Sequence, residues 1–507
     1  MRLLGRILLF GLIGAVLLCG AGAGVAGWFW SRAALSTAGE IDFVNRLAIP
    51  PLAESRVDDE GRRVFELTAD EGQHDFGGTT VPTWGFNGDY LGPTLRAKRG
   101  EQVQIKVHNK LGEATTVHWH GMHLPPEMDG GPHQMIAPNA TWSPTWRIDQ
   151  PATTLWYHPH LHGKTADHVY RGLAGMFILD DPDTSADLPD EYGVDDIPVI
   201  VQDKKFSGGQ LDATDGFAGV GIIGDTIAVN GTVAPYQEVT TERVRLRLLN
   251  GSNARIYDFG FADNREFALV GTDGGLLETP YYTDRVMLSP GERAEIVVAM
   301  KPGERAVLRS FPPDTGMDMF SERFTGSDDT LDILELRAAD RLADNAEVPE
   351  RLVDIPKLDP ADAVAHREFK LSGYSINGHQ MSMGRIDLSV QRDTTEVWEL
   401  TNWDGQLHSF HVHDVQFQVV SVGGAPPPPE LAGWKDTIFL RPYTRMRIVM
   451  RFADYADPNV PYMYHCHVLY HEDLGMMGQF VVLEPGQRPG TPPTSGQDHH
   501  HAGHHGG

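Results

Sequence analysis

The 507-residue chain has only two cysteines, Cys19 and Cys466. Cys19 lies in an apolar N-terminal stretch, so no disulfide is available to the folded part, and cysteine usage says nothing about the compartment. Positive charge is scarce: 42 Lys and Arg stand against 69 Asp and Glu, a net charge of −27. That balance argues against nucleic acid as a partner and fits a solvated, soluble domain. Long amphipathic helical patterns are missing too. Glycine (55) and proline (34) are frequent and the apolar segments are short and alternating, which favours strands and turns over helices.

One long uncharged run stands at the N-terminus. Arg2 and Arg6 precede Ile7 to Trp30, and Arg32 follows. Residues 1–35 therefore read as a membrane-anchor or signal segment. The run is long enough for a single-pass apolar helix with its basic end in the cytoplasm, and a cleaved signal peptide is the alternative. Leu18, directly before Cys19, is larger than lipoprotein processing prefers. Either way the remainder is expected outside the cytoplasm, at the cell surface or in the periplasm.

The densest chemistry is His465-Cys466-His467, with His471, Glu472 and Met476 close behind. A thiolate, an imidazole five residues on and a thioether ten residues on form the ligand set of a blue electron-transfer copper. On a strand, neighbouring side chains point to opposite faces. Cys466 then serves one metal while His465 and His467 reach a second site behind it. His118-Trp-His120-Gly, His158-Pro-His160 and His408-Ser-Phe-His411-Val-His413 add three further clusters. One His-x-His pair is as compatible with zinc or with ordinary hydrogen-bonded histidines; four clusters beside Cys466 and Met476 are not. His123, His133, His162 and His168 read as solvated or hydrogen-bonded side chains.

Internal repetition gives the architecture. Glu101 to Asn109 leads to His118 and His120, Glu242 to Asn250 leads to Tyr257, Phe259 and Phe261, and Glu396 to Asn402 leads to His408, His411 and His413. A threefold strand–Asn–strand template at about 150-residue spacing suggests three β-sandwiches in series, the middle one without ligands. The fold class expected is all-β, with domains over 55–182, 195–340 and 366–485. Residues 341–365 are a charged Ala/Asp/Pro-rich linker, and 486–507 a disordered tail containing Asp498-His-His-His-Ala-Gly-His-His. Clustered imidazoles there suggest a metal-gathering arm; an expression tag is the duller reading.

These motifs, with Trp156-Tyr-His-Pro-His and Gly433-Trp-Lys-Asp-Thr, resemble the multicopper oxidases. The likeness is to the three-domain bacterial branch of copper efflux oxidases, bilirubin oxidases and spore-coat laccases, and it runs from about residue 60 to 485. The resemblance implies cupredoxin-like Greek-key domains and four copper ions. His408, Cys466, His471 and axial Met476 would form the type 1 site, and His118 and His411 the type 2 site. His120, His158 and His467 would hold one type 3 copper, and His160, His413 and His465 the other. It also implies that Asp129 and Glu472 relay protons, although orienting a neighbouring histidine is the plainer role for each.

The implied activity couples four one-electron oxidations to the reduction of dioxygen to water, in a protein expected to be a monomer. The electron donor is open. No methionine-rich insert is present: Gly316-Met-Asp-Met and Gln380-Met-Ser-Met are short. Asp404 matches a carboxylate that copper efflux oxidases use for cuprous ion, but Gln406 stands where they have methionine. A laccase-like oxidase of phenols and aromatic amines is therefore favoured, with cuprous or another metal ion as the alternative donor. Some relatives of this fold have lost their metals and act as scaffolds at the cell envelope; the complete ligand set here speaks against that role.

Overall fold

The computed structural model describes residues 27–28, 30–184, 187–216 and 219–493. Most of the expected anchor or signal segment, with Cys19, and all of the tail histidines lie outside the described residues. Among the described residues no helix is long and apolar enough to cross a membrane.

Strands follow the alternating pattern. Along Gln102–Asn109 the side chains of Val103, Ile105 and Val107 are buried and their neighbours are more exposed. This strand lies parallel to Arg63–Asp75 in a six-stranded sheet. A four-stranded sheet carries Leu95–Lys98, Gly175–Asp180, Thr153–His158 and His118–His120 in that order. The two sheets share a core that includes Phe65, Val107, Trp119 and Phe177. A seven-stranded and a six-stranded sheet enclose the middle core around Leu246, Tyr257, Phe259, Phe261 and Ile296. Two five-stranded sheets enclose the last, around Phe369, Trp398, Phe410 and Phe480, and Cys466 and Met476 belong to that core. Burying each such large apolar side chain contributes roughly 1.5–3 kcal/mol.

The repeated asparagine does the same work three times. Asn109 Nδ2 donates to the carbonyls of Glu113 and Ile136, Asn250 Nδ2 to those of Arg255 and Leu288, and Asn402 Nδ2 to those of Gln406 and Leu440. Each Oδ1 accepts the backbone N–H two residues on, at Leu111, Ser252 and Asp404. The side chain ends one strand, turns the chain and ties the turn to a neighbouring strand end. A second strand follows each turn, and in the first and last units that strand carries histidines.

Two details differ from the sequence reading. The strand Leu331–Ala343 enters the expected linker, and Ala363–Ser372 begins before its end. Residues ahead of the first sandwich clasp the middle one instead: Asn45–Arg46 adds a parallel edge strand to Pro235–Thr241. An open sheet edge presents unpaired backbone groups, and this short segment covers them.

Candidate metal centre

His118–His120 pairs antiparallel with Thr153–His158, placing His118 opposite His158. In the last unit His408–Val412 pairs antiparallel with Tyr462–Cys466, placing His411 opposite His465. The two histidine-bearing sheets face each other across the seam. His118 stacks on His413 with ring centroids 3.9 Å apart, and His120 stacks on His411 at 3.7 Å. All eight histidines of this cluster are buried.

Ligand atoms converge in groups. Those of His118, His411 and His413, of His120, His158 and His467, and of His160, His413 and His465 each lie within 4.8 Å of one another, as do those of His408, Cys466 and His471. His120 Nδ1 stands 3.3 Å from His158 Nε2, and His160 Nε2 stands 3.1 Å from His465 Nε2. Burial and mutual repulsion hold His120, His158, His411, His413 and His467 well below the ordinary histidine range, and His160 down to about 3. His120 Nδ1 and His158 Nε2, on two rings held neutral, face each other with no proton between them, an arrangement that a cation completes.

The opposite nitrogens fix the rings. His118 Nδ1 donates to the Asp129 carbonyl (2.9 Å) and His411 Nδ1 to the Asp436 carbonyl (2.9 Å), leaving both Nε2 atoms buried and without hydrogen-bond partners. His158 Nδ1 donates to the Pro159 carbonyl at 2.8 Å. His413 Nδ1 lies 2.7 Å from Asp129 Oδ2. Outer hydrogen bonds of this kind orient metal-binding imidazoles and set their tautomers. The chemistry of the donor set, all imidazole in one place and imidazole with thiolate in the other, fits copper.

Asp129 reaches its position through Gly130. That glycine has φ +78°, and a Cβ there would sit 1.7 Å from the Val117 carbonyl oxygen. Only glycine lets the loop lie so close beneath His118.

The strand alternation at Cys466 appears as expected. His465 and the cluster occupy one side, while Cys466 Sγ faces His408 Nδ1 (3.5 Å) and His471 Nδ1 (3.7 Å) on the other. Burial pushes the thiol up, but hydrogen bonds from His408 and His471 outweigh it and bring it down to about 5. The His471 Nε2 proton goes to the Gly219 carbonyl at 3.0 Å, and His408 Nε2 faces Asp404 Oδ1 at 3.3 Å. Met476 is buried in the same core, and its carbonyl accepts the Cys466 N–H at 3.0 Å.

Asp404 also accepts backbone N–H groups from Gly373 and Gln406. Burial works against its charge, yet the His408 contact holds it down at about 2. The Gln406 side chain lies beside Tyr374, whose ring is 5.2 Å from that of His471. Glu472, on the short helix Leu469–Asp473, has Oε2 3.2 Å from His465 Nδ1 and Oε1 3.5 Å from His160 Nδ1. Burial would neutralise it, but His160 and His465 keep it ionised, well below the usual carboxylate range.

Of the histidines set aside, His168 is buried against Glu113, with Nε2 2.8 Å from Oε1. His133 lies between the Pro493 carbonyl and Gln479. Sequence gives Asp436 and Thr437 no role beyond a matching stretch. Here Asp436 Oδ1 lies 3.1 Å and Thr437 Oγ1 3.0 Å from His120 Nε2. The Gly219 carbonyl on His471 carries no sequence signal, because any residue supplies a carbonyl.

Family models described as multicopper oxidase match residues 68–184, 200–307 and 353–486. Over 449 residues the chain is 36% identical to the multicopper oxidase mco of Staphylococcus haemolyticus, covering 86% of this chain and 92% of that one. It is 37% identical over 449 residues to the cell division protein FtsP of Xenorhabdus nematophila, covering 87% and 93%. The solved laccase-like multi-copper oxidase from the lignin-degrading bacterium Ochrobactrum superposes with a TM-score of 0.79 at 36% identity, covering 86% of this chain and all of that one. This chain belongs to the multicopper oxidase family, in its three-domain bacterial branch.

Proposed function

We propose that the protein is a laccase-like oxidase with four coppers, which takes single electrons from phenols or aromatic amines and reduces dioxygen to water. The observation that carries this reading is the convergence of Cys466 and ten histidines into closed ligand groups on both sides of one strand. His408, Cys466, His471 and Met476 would hold the type 1 copper. His118 and His411 would hold the type 2 copper, and His120, His158 and His467 with His160, His413 and His465 the binuclear pair. Copper at these places supplies one-electron acceptance at the thiolate site and the oxygen-reducing centre at the cluster.

The chain's own groups do the rest. Cys466 is bonded directly to His465 and His467, so the shortest covalent path between the two centres is the backbone itself. Asp404 is ionised and faces His408, placed to accept the proton that a phenol sheds as it is oxidised. Glu472 touches one cluster histidine from each sheet and Asp129 another, so both are set to pass protons inward. The complete ligand set is superfluous in a pure scaffold, which argues against that role alone.

A second reading has its own observation. Asp404 is a hard oxygen ligand in reach of a metal ion beside His408, so cuprous or another metal ion is the alternative donor, with the histidine tail as a sequestering arm. Export rests on the N-terminal sequence. Oxygen uptake by the copper-loaded protein separates the donors: faster uptake with a methoxyphenol than with cuprous ion at matched concentration supports the laccase reading, and the reverse order supports metal-ion oxidation.

A further inference from the structure

The middle sandwich contributes no atom to the candidate ligand groups, yet one of its side chains reaches the cluster. Arg293, at the start of the strand Arg293–Ala299, is fully buried. All five of its N–H groups are used. Nη1 and Nη2 donate to the two oxygens of Asp436 at 2.8 and 2.7 Å, Nε to the Thr154 carbonyl at 2.9 Å, and the remaining two to the carbonyls of Gly291 (3.1 Å) and Asp273 (2.9 Å). These acceptors belong to all three sandwiches. Asp436 in turn meets His120 Nε2 through its side chain and His411 Nδ1 through its carbonyl, two rings from opposite sides of the seam.

Neighbouring contacts repeat the pattern. Lys435 crosses the same boundary to Asp273 (2.9 Å) and Glu292 (2.7 Å). Gly291, at φ +87°, packs so closely on His467 that a Cβ would lie 3.0 Å from its ring. The turn before Arg293 therefore borders one cluster histidine directly, and the guanidinium reaches two more through Asp436.

We propose that Arg293 is a positioning residue for the oxygen-reducing cluster. By gripping both oxygens of Asp436 it fixes the angle of His120 and the seat of His411, so the ligand-free sandwich acts as the jig on which ligands from the other two are aligned. A planar fork is required; a lysine brings the charge but grips only one oxygen at a time. The inference rests on the copper assignment above.

The test compares wild type with Arg293→Lys and with the charge-balanced double variant Arg293→Met/Asp436→Asn. Four quantities are measured on the full chain: copper per chain, blue absorbance, the paramagnetic signal of the type 2 copper, and thermal unfolding. Expected are folded variants with full blue absorbance, cupric affinity at the cluster lower by about 10- to 100-fold, and a weakened or altered type 2 signal. Retention of every cluster copper with an unchanged type 2 signal overturns the proposal. So does a parallel loss of blue absorbance and cluster copper with melting, which marks a merely structural bridge. A wild type that never loads cluster copper refutes the ligand assignment instead.

Discussion

Asp129 holds one ring from each side of the seam: its carboxylate is 2.7 Å from His413 Nδ1, and its carbonyl accepts the His118 Nδ1 proton. The backbone half of that clamp survives any substitution, and the carboxylate half does not. Asp129→Ala is expected to lose cluster copper with a small change in blue absorbance. Asp129→Asn, which keeps an acceptor for His413 but no exchangeable acid, should keep copper and slow turnover by about 100-fold. Metal analysis beside oxygen uptake checks both; equal activity in Asn and wild type rules out a proton role.

Glu472 touches His160 and His465 but not the thiolate site. Glu472→Gln should therefore keep the blue colour and reduce oxygen uptake by at least about tenfold. Unchanged uptake counts against the relay.

Asp404 separates donors that release a proton from those that do not. Asp404→Asn is expected to lower methoxyphenol kcat/KM by about tenfold, while oxidation of ferrocyanide is unchanged or faster once a negative charge is removed. Equal losses for both donors would mean that Asp404 merely orients His408.

Copper removal should loosen the seam. Ligands from two sandwiches converge on one cluster, so metal binding stabilises their docking, by about 2.7 kcal/mol for each site held at 100 times its Kd. Calorimetry with and without a chelator should show the transition fall by several degrees. An unchanged transition would mean that protein contacts alone, Arg293 among them, hold the sandwiches together.

Lys204 gives a pH dependence away from any metal ligand. It is buried, donates to the Tyr170 carbonyl at 2.7 Å, and burial brings it from 10.5 down to about 7. Above pH 7 the folded chain holds a neutral amine while the unfolded chain still binds the proton. Unfolding then takes up a proton, so this residue's contribution rises with pH from about 7 towards the ordinary lysine range, by on the order of 1 kcal/mol per pH unit. Below pH 7 both states are protonated and the slope vanishes. Denaturant unfolding across that range should show the slope in wild type and lose it in Lys204→Met.

Much of the site was legible because its chemistry is local in sequence. The spacing at Cys466, the alternation of His465 and His467 around it and the paired His-x-His motifs need only strand periodicity to be read. The silent middle copy was legible as well: Tyr257, Phe259 and Phe261 occupy the positions of lost histidines and fill the core. The rest depends on docking between units, about which strand periodicity carries no information. Arg293 and Asp436 are far apart in the chain and look like ordinary charged residues until two sandwiches meet. The Asn45–Arg46 edge strand escaped for the same reason, since two residues have no period.

The turn at Asn250 is built like those at Asn109 and Asn402, although no imidazole follows it. In this chain, chassis and cargo are separable. The same joint carries aromatic rings into an oily interior in one copy and imidazole nitrogens towards a shared cluster in the other two. An ancestral sandwich could thus gain or surrender its histidines by re-lettering a few strand positions, with no change to the frame that holds them.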